Sequence, residues 1–135
     1  MRRSDDRIIV ESSSLQALQV QAVLEHWYRQ QAIVFAQTRV AYFSSGFPKK
    51  PQQVKISGAR KRWGSCSASG NLNFAWRCMI LPKEVFDYIV VHELSHLIHF
   101  NHSKAFWHQV ATVMPDYQRR QQWLKTHGLA LSLRW

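Results

Sequence analysis

The residues with the clearest chemical potential are two histidines and a glutamate, His92, Glu93 and His96, which form the pattern H-E-x-x-H. They lie in an apolar run that predicts a helix, and at ~100° per residue the two histidines are one turn apart on the same face. Two imidazoles in that position can bind one metal ion, and Glu93 can face a metal-bound water without being a ligand. Zinc lowers the pKa of such a water to about 7, and a carboxylate beside it can accept the proton and pass it to a leaving amine. The pattern predicts the chemistry of a zinc peptidase.

The alternative is a helix whose two histidines are ordinary surface or core residues. The surrounding sequence favours a metal site, because the helix is apolar nearly all round, as expected of a buried active-site helix. Its apolar positions are Val85, Ile89, Val90, Val91, Leu94, Leu97 and Ile98. Histidine and glutamate side chains in such surroundings need a polar partner, and a metal ion supplies one.

A third ligand is needed, because catalytic zinc usually takes three protein ligands and leaves one position open for water. The candidates are His99, His102 and His108. His99 faces the same way as His92 on an unbroken helix, but it stands ~10.5 Å further along the axis. Ligand nitrogens around a tetrahedral zinc are only about 3.3 Å apart, so His99 on a straight helix is a poor ligand. For His108, one turn into the next predicted helix, a packing or surface role is the simpler explanation.

His102 fits the third position better. Asn101 can adopt the left-handed conformation that ends a helix, and Ser103 can cap the start of a new one. The chain then turns back at Asn101, so that His102 can swing in beneath the two helical histidines. A histidine six residues after H-E-x-x-H also has the spacing of the metzincin signature, although His99 stands where that signature has glycine. We therefore expect His102 to complete a Zn²⁺ site, with the other two candidates as the alternatives.

Length and composition limit the class of protein. A chain of 135 residues with 46% hydrophobic and 13% aromatic residues predicts a single domain, residues 1–135, with a sizeable core. No stretch approaches about 18 uncharged apolar residues, and the N-terminus lacks the apolar region of a signal peptide. We therefore expect a cytoplasmic protein without membrane contact. Cys66 and Cys78 do not form a C-x-x-C pair, so they are expected to be free thiols in a reducing compartment.

The charge is strongly positive. Eighteen Lys and Arg against eight Asp and Glu give a net charge of +10, with a run Arg60, Lys61 and Arg62 and a pair Lys49 and Lys50. Such a surplus attracts polyanions, among which nucleic acid is the commonest in a cytoplasm. The other interpretations are an uninvolved basic surface, or an acidic protein as substrate or partner.

The N-terminal part, residues 1–53, is predicted to form a helix and a loop. The serines at 12–14 with Gln16 resemble a capping box that opens a long helix ending near Tyr42. The apolar residues of this helix form two stripes on nearly opposite sides, which indicates a helix that is either sandwiched in the fold or part of an interface. We favour the sandwiched arrangement. Glycine and prolines indicate a loop over 44–53.

Residues 54–128 are predicted to carry a sheet and the metal-site helices. Segments 54–57, 62–66 and 71–76 are rich in strand formers and predict a small antiparallel sheet. A turn at 68–70 joins the last two segments.

The helices that follow are predicted from their start and stop signals. Pro82 is well placed as the first residue of the H-E-x-x-H helix. Further helices are predicted at 104–114 and at 116–127, the last stopped by Gly128. The order gives an α+β fold, in which the sheet packs beside the active-site helix and further helices lie N- and C-terminal to it. An edge strand of that sheet could bind an extended peptide by strand addition.

Several short motifs, taken in order along the chain, resemble the YgjP-like metallopeptidase family, whose relatives include the SprT-like proteases. The motifs are R-W-G-S-C-S at 62–67, G-N at 70–71, W-R at 76–77, D-Y-I-V-V-H-E-L-S-H-L at 87–97, N-H-S-K-A-F-W at 101–107 and M-P-D-Y at 114–117. The resemblance runs from about Val54 to Gly128. Two departures are Ala75, where the family more often has Asn, and an N-terminal region shorter than the family's usual β-rich one.

The resemblance implies a zincin-type zinc metallopeptidase. Carried onto this chain, it makes His92, His96 and His102 the zinc ligands and Glu93 the general base, which agrees with the geometric argument. The SprT-like relatives cleave proteins crosslinked to DNA, and the positive charge of this chain is compatible with such a setting.

Two other functions compete with a zinc metallopeptidase. One is a basic zincin scaffold that binds nucleic acid through Arg60, Lys61 and Arg62 with little turnover; the retained Glu93 argues against it. The other is a structural metal site, which a fourth ligand such as Asp87 would close.

Aromatic and basic residues of the motifs have both structural and functional interpretations. Trp63, Trp76, Phe106 and Trp107 are expected in the core or the cleft wall, rather than as platforms for bases. Arg62, Arg77 and Tyr88 could stabilise an oxyanion, but we assign none of them a catalytic role.

Overall fold

The computed structural model describes residues 14–134. One helix precedes three strands there, and the remaining helices follow the strands, in the predicted α+β order. The elements are α1 (Ser14–Ser44), β1 (Gln53–Ser57), β2 (Gly64–Cys66), β3 (Asn71–Ala75), a 3₁₀-helix (Trp76–Ile80), α2 (Lys83–Ser95), α3 (Lys104–Val113) and α4 (Tyr117–Arg134). The α+β fold class is confirmed, and α2 is the helix that carries H-E-x-x-H.

The sheet has the order β1-β3-β2, so that β3 is its central strand. Leu72 and Phe74 on β3 are completely buried and join the sheet to the core. β2 pairs antiparallel with β3 through a turn in which Gly70 has a φ of 90°, a value that glycine adopts without strain. β2 therefore lies at one edge of the sheet.

The prediction of a purely antiparallel sheet is wrong for β1, which pairs parallel with β3. β1 and β2 run in opposite directions, but they lie on opposite sides of β3 instead of pairing with each other. β1 also packs against α1, a tertiary contact that the sequence pattern does not show. Strand propensity does not distinguish these pairings, because pairing partners are set by tertiary packing.

Helix α1 buries one face only. Ala32, Ala36 and Val40 are at most 4% exposed, whereas Val34 and Tyr42 are more than half exposed. The expected sandwiched arrangement is therefore wrong over the described part of the helix. The serines at 12–13 of the predicted capping box lie outside the described residues.

Helix α2 is the centre of the core. Pro82 is its N-cap rather than its first residue, and ten of its residues from Val85 to Ser95 are buried. Asp87 on α2 accepts two hydrogen bonds from the guanidinium of Arg39 on α1, at 2.8 and 2.9 Å. This ion pair fixes the rotation of α2 relative to α1, because a bidentate pair holds both side chains in one geometry.

Helix α3 begins as predicted, whereas α4 does not stop at Gly128. The hydroxyl of Ser103 caps α3 by accepting a hydrogen bond from the backbone N–H of Phe106 at 3.2 Å. Gly128 is buried inside α4, where a Cβ would stand 3.4 Å from Nε1 of Trp63. This glycine therefore allows α4 to pack closely on Trp63 and does not end the helix. Within residues 14–134, no helix is both long and apolar enough to cross a membrane.

Candidate metal centre

Three histidine side chains converge at the C-terminal end of α2. Nε2 of His102 lies 3.0 Å from Nε2 of His96 and 3.2 Å from Nε2 of His92. These separations are close to the ~3.3 Å expected between nitrogens that share a tetrahedral zinc. The three imidazole nitrogens therefore have the chemical type and the spacing that a zinc ion requires. Within residues 14–134, these histidines form the group of side chains that could hold a metal ion.

The chain reaches His102 by a tight turn that starts earlier than predicted. Helix α2 ends at Ser95, and the N–H of His96 donates to the carbonyl of Glu93 at 3.1 Å, as in a 3₁₀ turn. The next two residues repeat this bond pattern, which winds the backbone more tightly than an α-helix. His102 then stands immediately before the N-cap Ser103. The predicted reversal is present, but it begins near Ser95 instead of at Asn101.

Each helical histidine is held from behind through its other ring nitrogen. Nδ1 of His96 lies 3.1 Å from the carbonyl oxygen of His99, and Nδ1 of His92 lies 3.3 Å from the hydroxyl of Tyr88. A carbonyl can only accept, so Nδ1 of His96 carries the proton and its Nε2 keeps a free lone pair. Partners of this kind orient metal-binding imidazoles and set their tautomer. His99 therefore contributes its backbone carbonyl to the cluster, and not its ring.

Burial also favours the neutral form of these imidazoles. It lowers the pKa of His92 to about 3, with a smaller contribution from the neighbouring His96 and His102. The pKa of His96 is lowered as well, again mainly by burial. Neutral imidazole is the form that binds a metal ion, because its lone pair is free.

Phe106 closes the back of the cluster. Its ring is completely buried, and its centroid lies 5.0, 4.5 and 4.9 Å from those of His92, His96 and His102. Trp107 stacks on His102 from the side at 5.9 Å. These two aromatic residues form the wall predicted from their motif. They restrict the imidazoles to a narrow range of orientations, as expected of side chains in a packed interior.

Glu93 lies beside the histidines, between α2 and the edge strand β2. It is only 6% exposed, and burial raises the pKa of its carboxyl to about 7, although the positive charge of Arg62 acts in the opposite direction. A Cβ on Gly64 would stand 3.2 Å from Cγ and 3.3 Å from Oε2 of Glu93. The missing side chain of Gly64 therefore makes the space that the carboxylate occupies. Sequence reasoning did not find this contact, although a glycine within a strand often marks a close approach of this kind.

An open cavity of about 290 Å³ exposes these groups to solvent. It is lined by the three histidines and Glu93 on one side and by β2 on the other, with Phe100 at its margin. Cys66 on β2 also lines it and is a free thiol, as predicted, with a pKa that burial raises. The edge strand and the candidate metal ligands therefore face the same cleft.

The structure also places the other residues that the sequence suggested as metal ligands or as groups that stabilise an oxyanion. The carboxylate of Asp87 forms an ion pair with Arg39, and His108 is exposed on α3 outside the histidine cluster. Arg77 is 2% exposed and donates to the carbonyl of Gly58 at 3.2 Å, outside the cavity that holds Glu93. Tyr88 is buried, its hydroxyl lies 3.3 Å from Nδ1 of His92, and it lines a cavity of about 170 Å³ together with His92 and Glu93, which places it in an orienting position beside the site.

Comparisons with known proteins agree with this geometry. The family model of the YgjP-like metallopeptidase domain matches residues 1–127. Among solved structures, the chain is similar to the metallopeptidase zymogen abylysin of Pyrococcus abyssi. The TM-score is 0.61, and the match has 22% identity and covers 67% of this chain and 92% of that one. At this identity the likeness concerns the fold alone. No curated protein matches the chain significantly.

The contact between Gly64 and Glu93 predicts the effect of a side chain at position 64. Gly64→Ala should shift the carboxylate by a few tenths of an ångström, and Gly64→Val should displace it from the cavity wall and destabilise the fold by about 1–3 kcal/mol through overpacking. Crystal structures and urea unfolding of both variants measure these effects. An unmoved Glu93 in Gly64→Val would show that β2 yields instead.

Proposed function

This chain belongs to the YgjP-like metallopeptidase family, and we propose that it is a zinc-dependent peptidase. The proposed metal ligands are His92, His96 and His102, and the proposed general base is Glu93. The observation that carries the proposal is the convergence of three imidazole nitrogens beside a buried carboxylate in one open cleft.

A zinc ion held there would lower the pKa of a water molecule to about 7 and polarise the scissile carbonyl. Glu93 accepts the proton of the attacking water and delivers it to the leaving amine. Its position against Gly64 suits this role, because the carboxylate is kept beside the histidines and away from bulk water. The hydrogen bonds of His92 with the hydroxyl of Tyr88 and of His96 to the carbonyl of His99 keep the two imidazoles in place.

The site has the composition of a catalytic centre and not of a closed structural one. Among residues 14–134, the cluster contains three side chains that could ligate one ion, and a fourth position remains for water. Asp87, the acidic candidate for closing the site, is held by Arg39.

The edge strand β2 gives the substrate a place to bind. It borders the same cavity as the histidines, and within residues 14–134 no other strand pairs with its outer edge. An extended peptide can add to such an edge through main-chain hydrogen bonds, which would bring a scissile carbonyl to the metal with little dependence on side chains. Extended segments of proteins are therefore the proposed substrates.

Metal binding tests the proposed ligand set. We expect one zinc per chain in the parent protein, loss of zinc in His102→Ala, and full zinc content in His99→Ala, because His99 contributes only its carbonyl. Elemental analysis of the three purified proteins measures this, with circular dichroism as the control for folding. Retention of zinc by a folded His102→Ala protein together with its loss from His99→Ala would reverse the assignment.

The role of Glu93 predicts a separation of metal binding from activity. Glu93→Gln should keep zinc and fold normally but lose at least about 100-fold in peptide hydrolysis, because the amide cannot accept the proton. Hydrolysis of a casein or peptide mixture, followed by mass spectrometry, measures the rate. A variant as active as the parent would contradict the mechanism, and a variant without zinc would make Glu93 a ligand or a support of one.

A nucleic-acid partner is the second candidate, favoured by the position of the basic run. Arg60, Lys61 and Arg62 are exposed on the connection between β1 and β2, and Arg62 lies close enough to influence Glu93. DNA held there would lie beside the cleft. The peptidase could then act on proteins bound to DNA.

This arrangement predicts binding to duplex DNA that is independent of sequence and weakens steeply with salt, by nearly one unit of log slope for each phosphate contact. Replacing Arg60 and Lys61 by Glu should weaken binding more than Lys125→Glu, which carries the same kind of change on α4. Fluorescence anisotropy over a salt series measures both effects. If the parent and the variants bind DNA equally, or if the parent does not bind DNA at low salt, the basic run has no role in binding nucleic acid.

A further inference from the structure

A second and larger cavity adjoins the candidate metal centre. It has a volume of about 410 Å³, and His96 and Phe100 line both cavities. A substrate bound at the histidines can therefore extend into it without leaving the protein surface. The volume is enough for an amino-acid side chain with some of its backbone.

The lining of this cavity is positive. Lys49 and Lys50 lie on one side of it, and among the described residues, 14–134, no aspartate or glutamate lines it. Neither lysine forms an ion pair with any residue in the described part of the chain. Ser67 and Ser69 supply hydroxyls, while Leu97 and Ile98 supply an apolar wall.

The loop that carries the lysines is well anchored. Pro48 and Pro51 flank the pair and fix two of the backbone φ angles. The N–H of Gln52 donates to the carbonyl of Gly70 at 2.8 Å, which ties this loop to the turn between β2 and β3. The lysine backbones therefore have a defined place relative to the turn.

The cavities follow the edge strand in order. Trp63 and Gly64 line a small cavity of about 170 Å³, residues 64–66 line the metal cavity, and residues 67–70 line the basic cavity. A peptide added to the edge of β2 would pass the histidines at its middle and reach the two lysines at one end.

We propose that the cavity of Lys49 and Lys50 is a specificity subsite for an acidic side chain of the substrate. The subsite selects peptides with Asp or Glu at a fixed distance from the scissile bond. This inference rests on the proposed function, since it assigns a substrate preference to the same cleft. The positive charges of the two lysines are complementary to a carboxylate, and no acidic residue in the described part of the chain lines the cavity with them.

The test selects peptides by binding, so that it does not depend on turnover. Zinc-loaded Glu93→Gln protein is immobilised and incubated with a random octapeptide mixture, and the retained peptides are identified by mass spectrometry. The parent protein is incubated with the same mixture in parallel to map cleavage sites. The variants are Lys49→Glu, Lys50→Glu and the two together, with Lys125→Glu as the control that matches the charge change of each single variant, and all are also made in the Glu93→Gln background.

We expect Asp and Glu to be enriched at one position of the retained peptides and, in the parent, at one position relative to the cleaved bond. Peptides differing only by Glu or Gln at that position should differ roughly tenfold in Kd, because each of two partly exposed charge pairs contributes a few-fold. The double variant should invert the preference towards Lys and Arg, and Lys125→Glu should keep it. Raising the salt concentration should reduce the preference, since the lysines are solvent-exposed.

The outcomes separate this proposal from the proposed function. Cleavage without an acidic preference, or a preference that survives the double variant, overturns the subsite and leaves the peptidase in place. Acidic selectivity in binding, lost in the double variant but accompanied by no cleavage, supports the subsite and counts against the peptidase. Retention of a single-stranded oligonucleotide through these lysines, without retention of acidic peptides, overturns the subsite in favour of a nucleic acid.

Discussion

The structure depends on a single helix that serves both the core and the cleft. Helix α2 buries ten residues against α1, the sheet and the C-terminal helices, and yet it carries His92 and Glu93 on the side that faces β2. Because close packing fixes the rotation of a buried helix, the two functional side chains are placed by apolar contacts that have no chemical role themselves. The ion pair between Arg39 and Asp87 adds a directional restraint to that packing.

The groups that orient His92 and His96 are close to them in sequence. His96 is oriented by a backbone carbonyl only three residues away, and His92 by Tyr88 one turn earlier on the same helix. Local contacts of this kind form as soon as the helix and its terminal turn form. His102, which precedes α3, and Phe106 on α3 must be brought in from further along the chain, and the cap at Ser103 sets where that helix begins. Most of the cluster is thus organised by neighbours in sequence.

Much of this arrangement could be predicted from the sequence. The spacing of His92 and His96, and the capping residue Ser103, were enough to place His102 beside them, because helix periodicity and capping are local effects. The early end of α2 could not be predicted, since Leu97 and Ile98 continue the apolar pattern. The turn is supported instead by the hydrogen bond between the ring of His96 and the carbonyl of His99. That bond depends on side-chain geometry that propensity does not contain.

Other differences have the same origin in tertiary contacts. The parallel pairing of β1 accompanies its packing against α1, and the continuation of α4 through Gly128 depends on Trp63. Gly64 is important because it lacks a Cβ atom, which leaves space for the side chain of Glu93. Periodicity and propensity describe how a segment behaves alone, and these positions are determined by a distant partner.

The buried ring of Phe106 affects how an ion and a peptide would reach the cleft. It touches all three imidazoles from the core side, so an ion bound by them as proposed would exchange through the open side of the cavity beside β2. A peptide bound on that strand as proposed would cover the same opening. The ion would then have to bind before the peptide, and a bound peptide would retain the ion until the peptide leaves.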